Sequence, residues 1–190
     1  KKHNAFIILD EAHSTGVLGD GGSGLAVSGN LHIEIAIRIY TFGKAMGVHG
    51  ACVAGSKELI SYLINFARPF IYTTALPMHA IASIDRSFEY VKSHPILQKE
   101  LKKNIESFLL FNNHTRSKSA IQTVLIPGNK RVKSASEYLQ KKGFDIRAIL
   151  SPTVPEGKER LRICLHVFNT KEEIDDLGRV LRDLEANKNE

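Results

Sequence analysis

Short apolar runs alternate with segments of helical periodicity between residues 5 and 92. The run Ala5–Leu9 is apolar throughout, as expected for a parallel strand that is covered on both faces. Residues 34–40 and 50–54 predict two more strands, and residues 57–67 carry apolar side chains at helical spacing. Strands that are separated by helices or long loops indicate an α/β fold.

The rest of the chain predicts a second, smaller α+β domain. A long helical region begins at Pro77 and should break before Pro95, because the residue before a proline resists the helical conformation. Further strands are predicted at residues 121–126, 146–150 and 161–167, and helices at residues 132–142 and 171–185. The last helix should lie on a sheet, since its apolar stripe is too short for a coiled coil. The predicted domains are therefore residues 1–92 and 93–190.

Charge and cysteine content weigh against several classes of protein. Lysine and arginine exceed the acidic residues by 26 − 20 = 6, but they are scattered, which favours a solvated surface over a nucleic-acid site. Cys52 and Cys164 lie in apolar runs, so we expect small buried residues, no disulfide and no metal site. No apolar stretch approaches the roughly 20 residues of a membrane span. We expect a cytoplasmic protein that binds neither membranes nor nucleic acid.

The segment Leu9-Asp10-Glu11-Ala12-His13 matches the magnesium-binding box of nucleic-acid helicases. A helicase also needs a phosphate-binding G-x-x-x-x-G-K-[ST] loop, which could lie upstream of this sequence. Downstream, however, the chain has no Ser-Ala-Thr coupling motif and no arginine-rich finger helix. The pattern therefore favours a different role for Asp10 and His13.

A second motif, Thr41-Phe42-Gly43-Lys44-Ala45-Met46-Gly47, follows a predicted strand and flanks one lysine with small residues. A lysine that forms a Schiff base must approach its cofactor closely, so bulky neighbours would obstruct it. Thr41 precedes Lys44 at a spacing that suits a hydroxyl donating to a phosphate. Taken alone, the motif fits a Gly-Lys turn without a chemical role equally well.

Together the two motifs indicate a site for pyridoxal phosphate (PLP). Ligands of open α/β sheets gather at the carboxyl ends of strands, where Asp10 and Lys44 both fall. A carboxylate such as Asp10 can keep the pyridine nitrogen of PLP protonated. The imidazole of His13 can hydrogen-bond the phenolic oxygen of the same ring.

The runs 10–19 and 41–50 resemble the two cofactor motifs of the α-oxoamine synthases. These are fold-type-I PLP enzymes that condense an amino acid with an acyl-CoA and release carbon dioxide. Gly19, Gly22 and Gly24 resemble the G-x-x-G-x-G loop of that family, which is not a phosphate cradle, and Ser23 replaces its usual arginine. The resemblance implies an aspartate aminotransferase-like fold. Residues 1–92 would then be the carboxy-terminal part of the large PLP-binding domain, followed by the small domain.

Two other segments extend the resemblance. Residues 68–77 are similar to a segment that crosses the dimer interface, where Thr73 and, preferably, Thr74 would donate to the phosphate of the partner's cofactor. By themselves these threonines fit a helix N-cap. Arg162 matches an arginine that binds the α-carboxylate of the amino acid, although it also fits an edge-strand arginine in solvent. The following residues, 165–169, depart from the family's Leu-Thr-Ala-Ala-His pattern.

The resemblance implies an acyl-CoA and an amino acid as substrates and a homodimer whose active site is shared across the interface. Residues 47–51 and 70–77 are most similar to the branch that joins L-alanine to pimeloyl-CoA in biotin biosynthesis. Branches that use glycine with acetyl-CoA, or serine with a long acyl-CoA, stay open. A non-catalytic subunit of this fold also stays open, although such subunits usually lack the lysine.

The resemblance also assigns roles to single residues. The expected catalytic residues are Lys44, Asp10 and His13. The same three residues, together with Thr41, Thr73 and Thr74, are expected to bind the cofactor. Arg162 is expected to bind the substrate. Because the chain enters a strand within its first few residues, we expect that an upstream half is absent and that these residues alone are inactive.

Overall fold

The structure is a computed structural model that describes residue 3 and residues 5–111 and 117–186. The chain divides into two compact units, residues 1–98 and residues 99–190. Among the described residues, no helix has both the length and the apolar character needed to cross a membrane.

The first unit is built on a three-stranded sheet with the order β1-β2-β3. Its elements are β1 (Ile8–Asp10), a 3₁₀ turn (Asp20–Gly22), α1 (Leu25–Ser28), β2 (Ile37–Thr41), β3 (Ala51–Gly55), α2 (Lys57–Phe66), α3 (Arg68–Ile71) and α4 (Met78–Ser93). Strands β1 and β2 are parallel, and β2 and β3 are antiparallel. Asp10 lies opposite Ile39, which is two residues from Thr41. Because alternate side chains of a strand share a face, Asp10 and Thr41 lie on the same face of the sheet.

Local sequence explains where the longer helices of this unit begin and end. Ser56 caps α2, since its hydroxyl oxygen accepts a hydrogen bond from the backbone N–H of Leu59 at 3.2 Å. Helix α4 starts directly after Pro77 and ends at Ser93, because His94 precedes Pro95 and leaves the helical conformation. The predicted break in the long helical region is therefore confirmed.

The sheet of the first unit is poorly covered within the described chain. No residue of β1, β2 or β3 is buried, and Phe6 and Ile8 are 90% and 62% exposed. Strand β1 has no described partner on its second edge. The prediction that the first strand is covered on both faces is thus wrong for this chain by itself. For the same reason Cys52, which was predicted to be buried, is exposed on β3.

The second unit is an antiparallel sheet with the order β4-β6-β5 and helices packed on one face. Its elements are α5 (Ile96–Leu109), β4 (Ile121–Leu125), α6 (Asn129–Lys141), β5 (Arg147–Ile149), β6 (Arg160–Cys164) and α7 (Lys171–Ala186). The central strand β6 buries Leu161 and Ile163, while Arg162 and Cys164 point to the opposite, exposed face. Arg162 is therefore not on an edge strand, and the expected burial of Cys164 is wrong.

Most of the described apolar core belongs to the second unit. Its buried apolar side chains are Leu101, Ile105, Phe108, Val124, Ile126, Val132, Ala135, Leu139, Ile146, Leu161, Ile163, Leu165, Ile174, Leu177 and Leu181. Those of the first unit are Ala12, Ala26, Ile35, Phe42 and Met46. Of the four residues in the apolar stripe predicted for α7, Ile174, Leu177 and Leu181 are buried and Leu184 is half-buried. The stripe therefore packs within the unit.

A buried carboxylate joins two loops of the second unit. Glu159 precedes β6 and is only 2% exposed. Its Oε2 accepts a hydrogen bond at 2.9 Å from the backbone N–H of Gly128, the residue before α6. This hydrogen bond lowers the pKa of Glu159 below its ordinary value.

The division between the units falls inside the first turns of α5, a few residues after the predicted boundary at 92/93. The reason is the side chain of Gln98. Its Nε2 donates to the backbone carbonyls of Val17 and Gly19 at 2.8 and 3.0 Å. These contacts tie the start of α5 to the first unit.

Candidate active site

Asp10 ends β1, at the carboxyl edge of the parallel pair that β1 forms with β2. Its Oδ1 accepts a hydrogen bond from the backbone N–H of Ala12 at 2.8 Å, which orients the carboxylate at the end of the strand. The side chain is exposed and shares a face of the sheet with Thr41. The structure therefore brings these two predicted residues to one edge and one face.

Lys44 lies in the tight loop between β2 and β3. Two backbone hydrogen bonds of 2.9 Å close the loop, from Phe42 N–H to the Gly50 carbonyl and from Val48 N–H to the Phe42 carbonyl. A third, from Gly47 N–H to the Lys44 carbonyl, measures 3.0 Å. The Lys44 side chain is exposed and forms no ion pair with another described residue. The loop thus holds a defined backbone and presents a free amine.

The surroundings of Lys44 are open. A Cβ added to Gly43 would meet no atom within 4 Å, and the same holds for Gly47. Nearby, the hydroxyl oxygen of Thr41 is buried and has no hydrogen-bond partner among the residues that the structure describes. An unsatisfied buried donor is disfavoured by about 1–3 kcal/mol, which indicates an acceptor that the described chain does not supply. A phosphate oxygen of PLP is such an acceptor, so these residues fit the cofactor.

Helix α4 anchors the loop from behind. The Ser87 hydroxyl donates to the Met46 carbonyl at 3.0 Å, and Met46 itself is only 5% exposed. Phe42 is buried and packs edge-on against Phe88, with ring centroids 5.7 Å apart. These contacts flank Lys44 on both sides and hold its backbone in place.

Glu11 was given no role from the sequence, yet it is fully buried beside the site. Its two carboxylate oxygens accept hydrogen bonds from the backbone N–H groups of Leu25 and Ala26, at 2.7 and 2.9 Å. They also accept one from the Ser14 hydroxyl. Glu11 thus satisfies the free N–H groups at the start of α1, where a negative charge is favourable.

The glycine-rich loop serves this packing. A Cβ at Gly24 would lie 2.8 Å from the Glu11 carboxylate, and a Cβ at Gly16 would lie 3.0 Å from Ala45 and from the Met46 sulfur. Both glycines have positive φ angles, of 104° and 78°. The sequence analysis did not use the signal for this close approach, which is an acidic residue followed by several closely spaced glycines.

The remaining predicted residues of the first unit lie outside the loop between β2 and β3 that carries Lys44. His13 is exposed in the turn that follows Glu11. Thr73 and Thr74 are exposed between α3 and α4, and the Thr73 hydroxyl donates weakly to the Thr74 carbonyl at 3.5 Å. Neither threonine hydroxyl hydrogen-bonds to Asp10, Thr41 or Lys44 within the described chain. Arg162 lies in the second unit, on the exposed face of β6.

The opposite face of the first sheet carries Arg38 and Tyr40. Burial raises the pKa of Tyr40 above its ordinary value, and the neighbouring Arg38 guanidinium partly offsets this. Although Cys52 as a whole residue is exposed, partial desolvation of its thiol raises the pKa of this group. Since the ordinary pKa values of both groups already lie well above 7, Tyr40 and Cys52 stay protonated at neutral pH.

A sequence model of the family described as aminotransferase class I and II matches residues 1–181. The chain belongs to this family, and its fold is that of the fold-type-I PLP-dependent transferases. Within the family its relatives are α-oxoamine synthases, as the resemblance predicted. The 8-amino-7-oxononanoate synthase of Emericella nidulans is 38% identical over 185 residues, covering 92% of this chain and 45% of the relative. That of Chromohalobacter salexigens is 35% identical over 182 residues, covering 93% and 47%.

Solved structures agree with this assignment. The crystal structure of 8-amino-7-oxononanoate synthase from Francisella tularensis matches with a TM-score of 0.84 and 27% identity, over 95% of this chain and 55% of that one. A serine palmitoyltransferase from Sphingomonas wittichii matches with a TM-score of 0.87 over 98% of this chain and 48% of that one. At 22% identity the second match shows the fold alone. The chain spans about half the length of the curated relatives it matches.

Proposed function

We propose that this chain supplies part of the active site of a PLP-dependent α-oxoamine synthase that condenses L-alanine with pimeloyl-CoA. The products would be 8-amino-7-oxononanoate, CoA and carbon dioxide, as in biotin biosynthesis. The relatives named 8-amino-7-oxononanoate synthase support this choice of substrates. The observation that carries the proposal is the loop of Lys44, which leaves this lysine exposed three residues after Thr41, whose buried hydroxyl has no hydrogen-bond partner among the described residues.

Four side chains would hold the cofactor in one protomer. Lys44 Nζ would bind it covalently, and the Thr41 hydroxyl would donate to its phosphate. Asp10 would accept a hydrogen bond from the pyridine nitrogen and so hold a proton there, while His13 would donate to the phenolic oxygen. PLP, when bound, supplies an electron sink that stabilises negative charge on the Cα of the amino acid.

Two side chains would act on the amino acid. Arg162 would bind its α-carboxylate through the planar guanidinium fork, which matches a carboxylate in two hydrogen bonds. The Lys44 amine, once free, would take the proton from Cα. For that step the amine must be neutral, because only its lone pair can accept the proton.

A homodimer would complete the phosphate site. Thr73 and Thr74 are exposed and make no hydrogen bond to Lys44 or Thr41 of the same chain. Their proposed role is to donate to the phosphate of the partner subunit's cofactor, with Thr74 as the principal donor. The acyl-CoA and the amino acid would be the small-molecule partners, in a cytoplasmic enzyme.

Chemical trapping of the cofactor tests the site. The chain is incubated with PLP, reduced with borohydride and digested, and pyridoxyl groups are located by mass spectrometry. We expect preferential modification of Lys44 over Lys57, an exposed lysine at the start of α2 that serves as the internal control. Thr41→Val should reduce modification at Lys44 and leave Lys57 unchanged. Equal modification of both lysines in the unaltered chain would contradict the proposal.

Substrate choice is tested separately, in a longer protein that contains this chain together with the half that the relatives have in addition. CoA release is measured for pimeloyl-, acetyl- and palmitoyl-CoA with L-alanine, glycine and L-serine. We expect the highest kcat/KM for pimeloyl-CoA with L-alanine, and none after Lys44→Ala. A higher kcat/KM for another pair of substrates would contradict the proposed substrates but not the membership of the family.

A further inference from the structure

We propose that Arg147 and Arg162 together form a binding site for a small dianion on the exposed face of the second sheet. The site lies wholly within the second unit and is independent of the proposed function. Should that function hold, Arg147 would add a second anionic group beside the carboxylate proposed for Arg162.

The first observation is the strand register. Strands β5 and β6 are antiparallel, and Arg147 lies directly opposite Arg162. Opposed residues of such strands share a face, with Cβ atoms about 4.5–5.5 Å apart. Both arginines are exposed, so the two guanidinium groups can reach one ligand in front of the sheet.

The second observation is a cleft of about 620 Å³ that both arginines line. Its accessible apolar lining includes Ile149, which shares the face of Arg147, and Phe168, which is exposed. Apolar walls lower the local dielectric and strengthen the attraction between a guanidinium and an anion. A ligand in the cleft would therefore contact apolar side chains on one side and the two guanidinium groups on the other.

The third observation is the charge balance. Arg147 Nε donates to Asp145 Oδ1 at 2.8 Å, which orients the guanidinium and leaves its terminal nitrogens available. Arg162 has no hydrogen bond or ion pair with any other described residue. Glu173 also lines the cleft but accepts hydrogen bonds from Asn169 Nδ2 and Thr170 N–H, at 3.4 and 3.0 Å. Two carboxylates, Asp145 and Glu173, thus line the cleft beside the two arginines. Because both already accept hydrogen bonds from neighbouring groups, Arg162 and the terminal nitrogens of Arg147 are left for a ligand.

These observations specify the class of ligand. Like charges directly opposite on a sheet repel, and an anion that bridges them removes the repulsion. Each guanidinium fork matches one carboxylate or one edge of a phosphoryl group. Two adjacent forks therefore suit a doubly charged oxyanion, either a single phosphoryl group or two carboxylates on one short carbon chain.

The test is a titration of the 190-residue chain, without PLP, with inorganic phosphate, succinate and acetate at equal ionic strength. Binding is followed through the arginine Nε–H signals in NMR spectra. We expect phosphate or succinate to bind about tenfold more tightly than acetate, the gain expected from one additional charged hydrogen-bonded contact. Binding of phosphate alone assigns a phosphoryl group, and binding of succinate alone assigns a dicarboxylate.

Matched variants separate the site from general surface charge. Arg147→Gln should weaken dianion binding about tenfold and leave acetate binding unchanged. Arg160→Gln is the control, because Arg160 lies on the same face of β6 but outside the cleft. It should change neither affinity. Asp145→Asn should strengthen dianion binding, since it removes the carboxylate that competes for Arg147.

Several outcomes would overturn the proposal. These are equal affinity for acetate and both dianions, equal losses in Arg147→Gln and Arg160→Gln, and an absence of binding. Backbone amide spectra check that each variant is folded, and Arg147→Lys replaces Arg147→Gln if the latter does not fold. The lysine keeps the charge without the fork, so it should still weaken dianion binding. None of these results alters the trapping test at Lys44.

Discussion

Asp10 and Glu11 are adjacent carboxylates with different surroundings. Asp10 is exposed at the end of β1, whereas Glu11 is fully buried and holds the start of α1 through two backbone N–H groups. Alternation along the strand directs the two side chains to opposite faces. One face can therefore meet a ligand while the other stabilises the loop that leads to α1.

In the second unit, the buried carboxylate of Glu159 should make the free energy of unfolding depend on pH. The pKa of Glu159 is lowered in the folded chain, from an ordinary value of 4.5. Its contribution is therefore present above about pH 4.5 and is lost as the pH falls through the folded pKa. Glu159→Gln should lower the free energy of unfolding at pH 7 and flatten its decline in acid, measured by denaturant titration. Glu156→Gln, at an exposed neighbouring position, is the control and should show the unaltered profile.

At the residue scale, chemistry restricts which residue types can serve a PLP site, and the roles of Lys44 and Asp10 there stay predictions. A lysine flanked by small residues and an aspartate at a strand end identified Lys44 and Asp10 as site candidates, and the structure leaves both exposed at one end of the sheet. Glu11 was missed because its role depends on a loop that folds back over it. The burial of Cys52 and Cys164 was wrongly predicted because an apolar run does not reveal whether a sheet face is covered.

At the scale of elements, periodicity and proline located most helices and strands to within a few residues. The clearest case is α4, which ends just before His94-Pro95 as predicted. Strand order was harder, because pairing joins segments that are distant in sequence. The position of β6 between β4 and β5 follows from long-range packing, and no local signal distinguishes it from an edge strand.

Packing between elements predicts the effect of one glycine substitution. A Cβ at Gly178, inside α7, would overlap the ring of Phe111. Replacing a helical glycine by alanine normally stabilises by about 1 kcal/mol, but overpacking destabilises by about 1–3 kcal/mol. We expect Gly178→Ala to lower the free energy of unfolding, as measured in a denaturant titration. Adding Phe111→Leu should restore part of the loss; a stabilised Gly178→Ala protein would contradict the close packing.

At the scale of the whole chain, the first unit is short of buried surface. Its sheet has no buried strand residue, and parallel sheets of α/β proteins are normally covered on both faces. The relatives are about twice as long as the matched region. We therefore propose that the faces of this sheet are covered by a part of the protein that this chain does not contain.

We predict that the 190-residue chain alone does not sustain the proposed reaction. It contains Asp10, His13, Lys44 and Arg162, but catalysis needs the cofactor held to within about 0.5 Å. The ring-stacking residue and most of the phosphate site are proposed to lie outside it. The chain is incubated with PLP, L-alanine and pimeloyl-CoA, and CoA release is followed. Turnover of about 1 per second or faster, within the usual range of enzymes, would contradict this account of the site.

The unequal packing of the two units has a consequence for how the chain responds to solvent. Backbone amides of β4 and β6 lie over a buried core and should exchange with deuterium only through larger openings of the second unit. Those of β1 and β3 border an exposed sheet and should exchange through small local fluctuations. A single free energy of unfolding would then describe the second unit but not the whole chain. Deuterium uptake would have two phases, and the strands around Lys44 would exchange in the faster one.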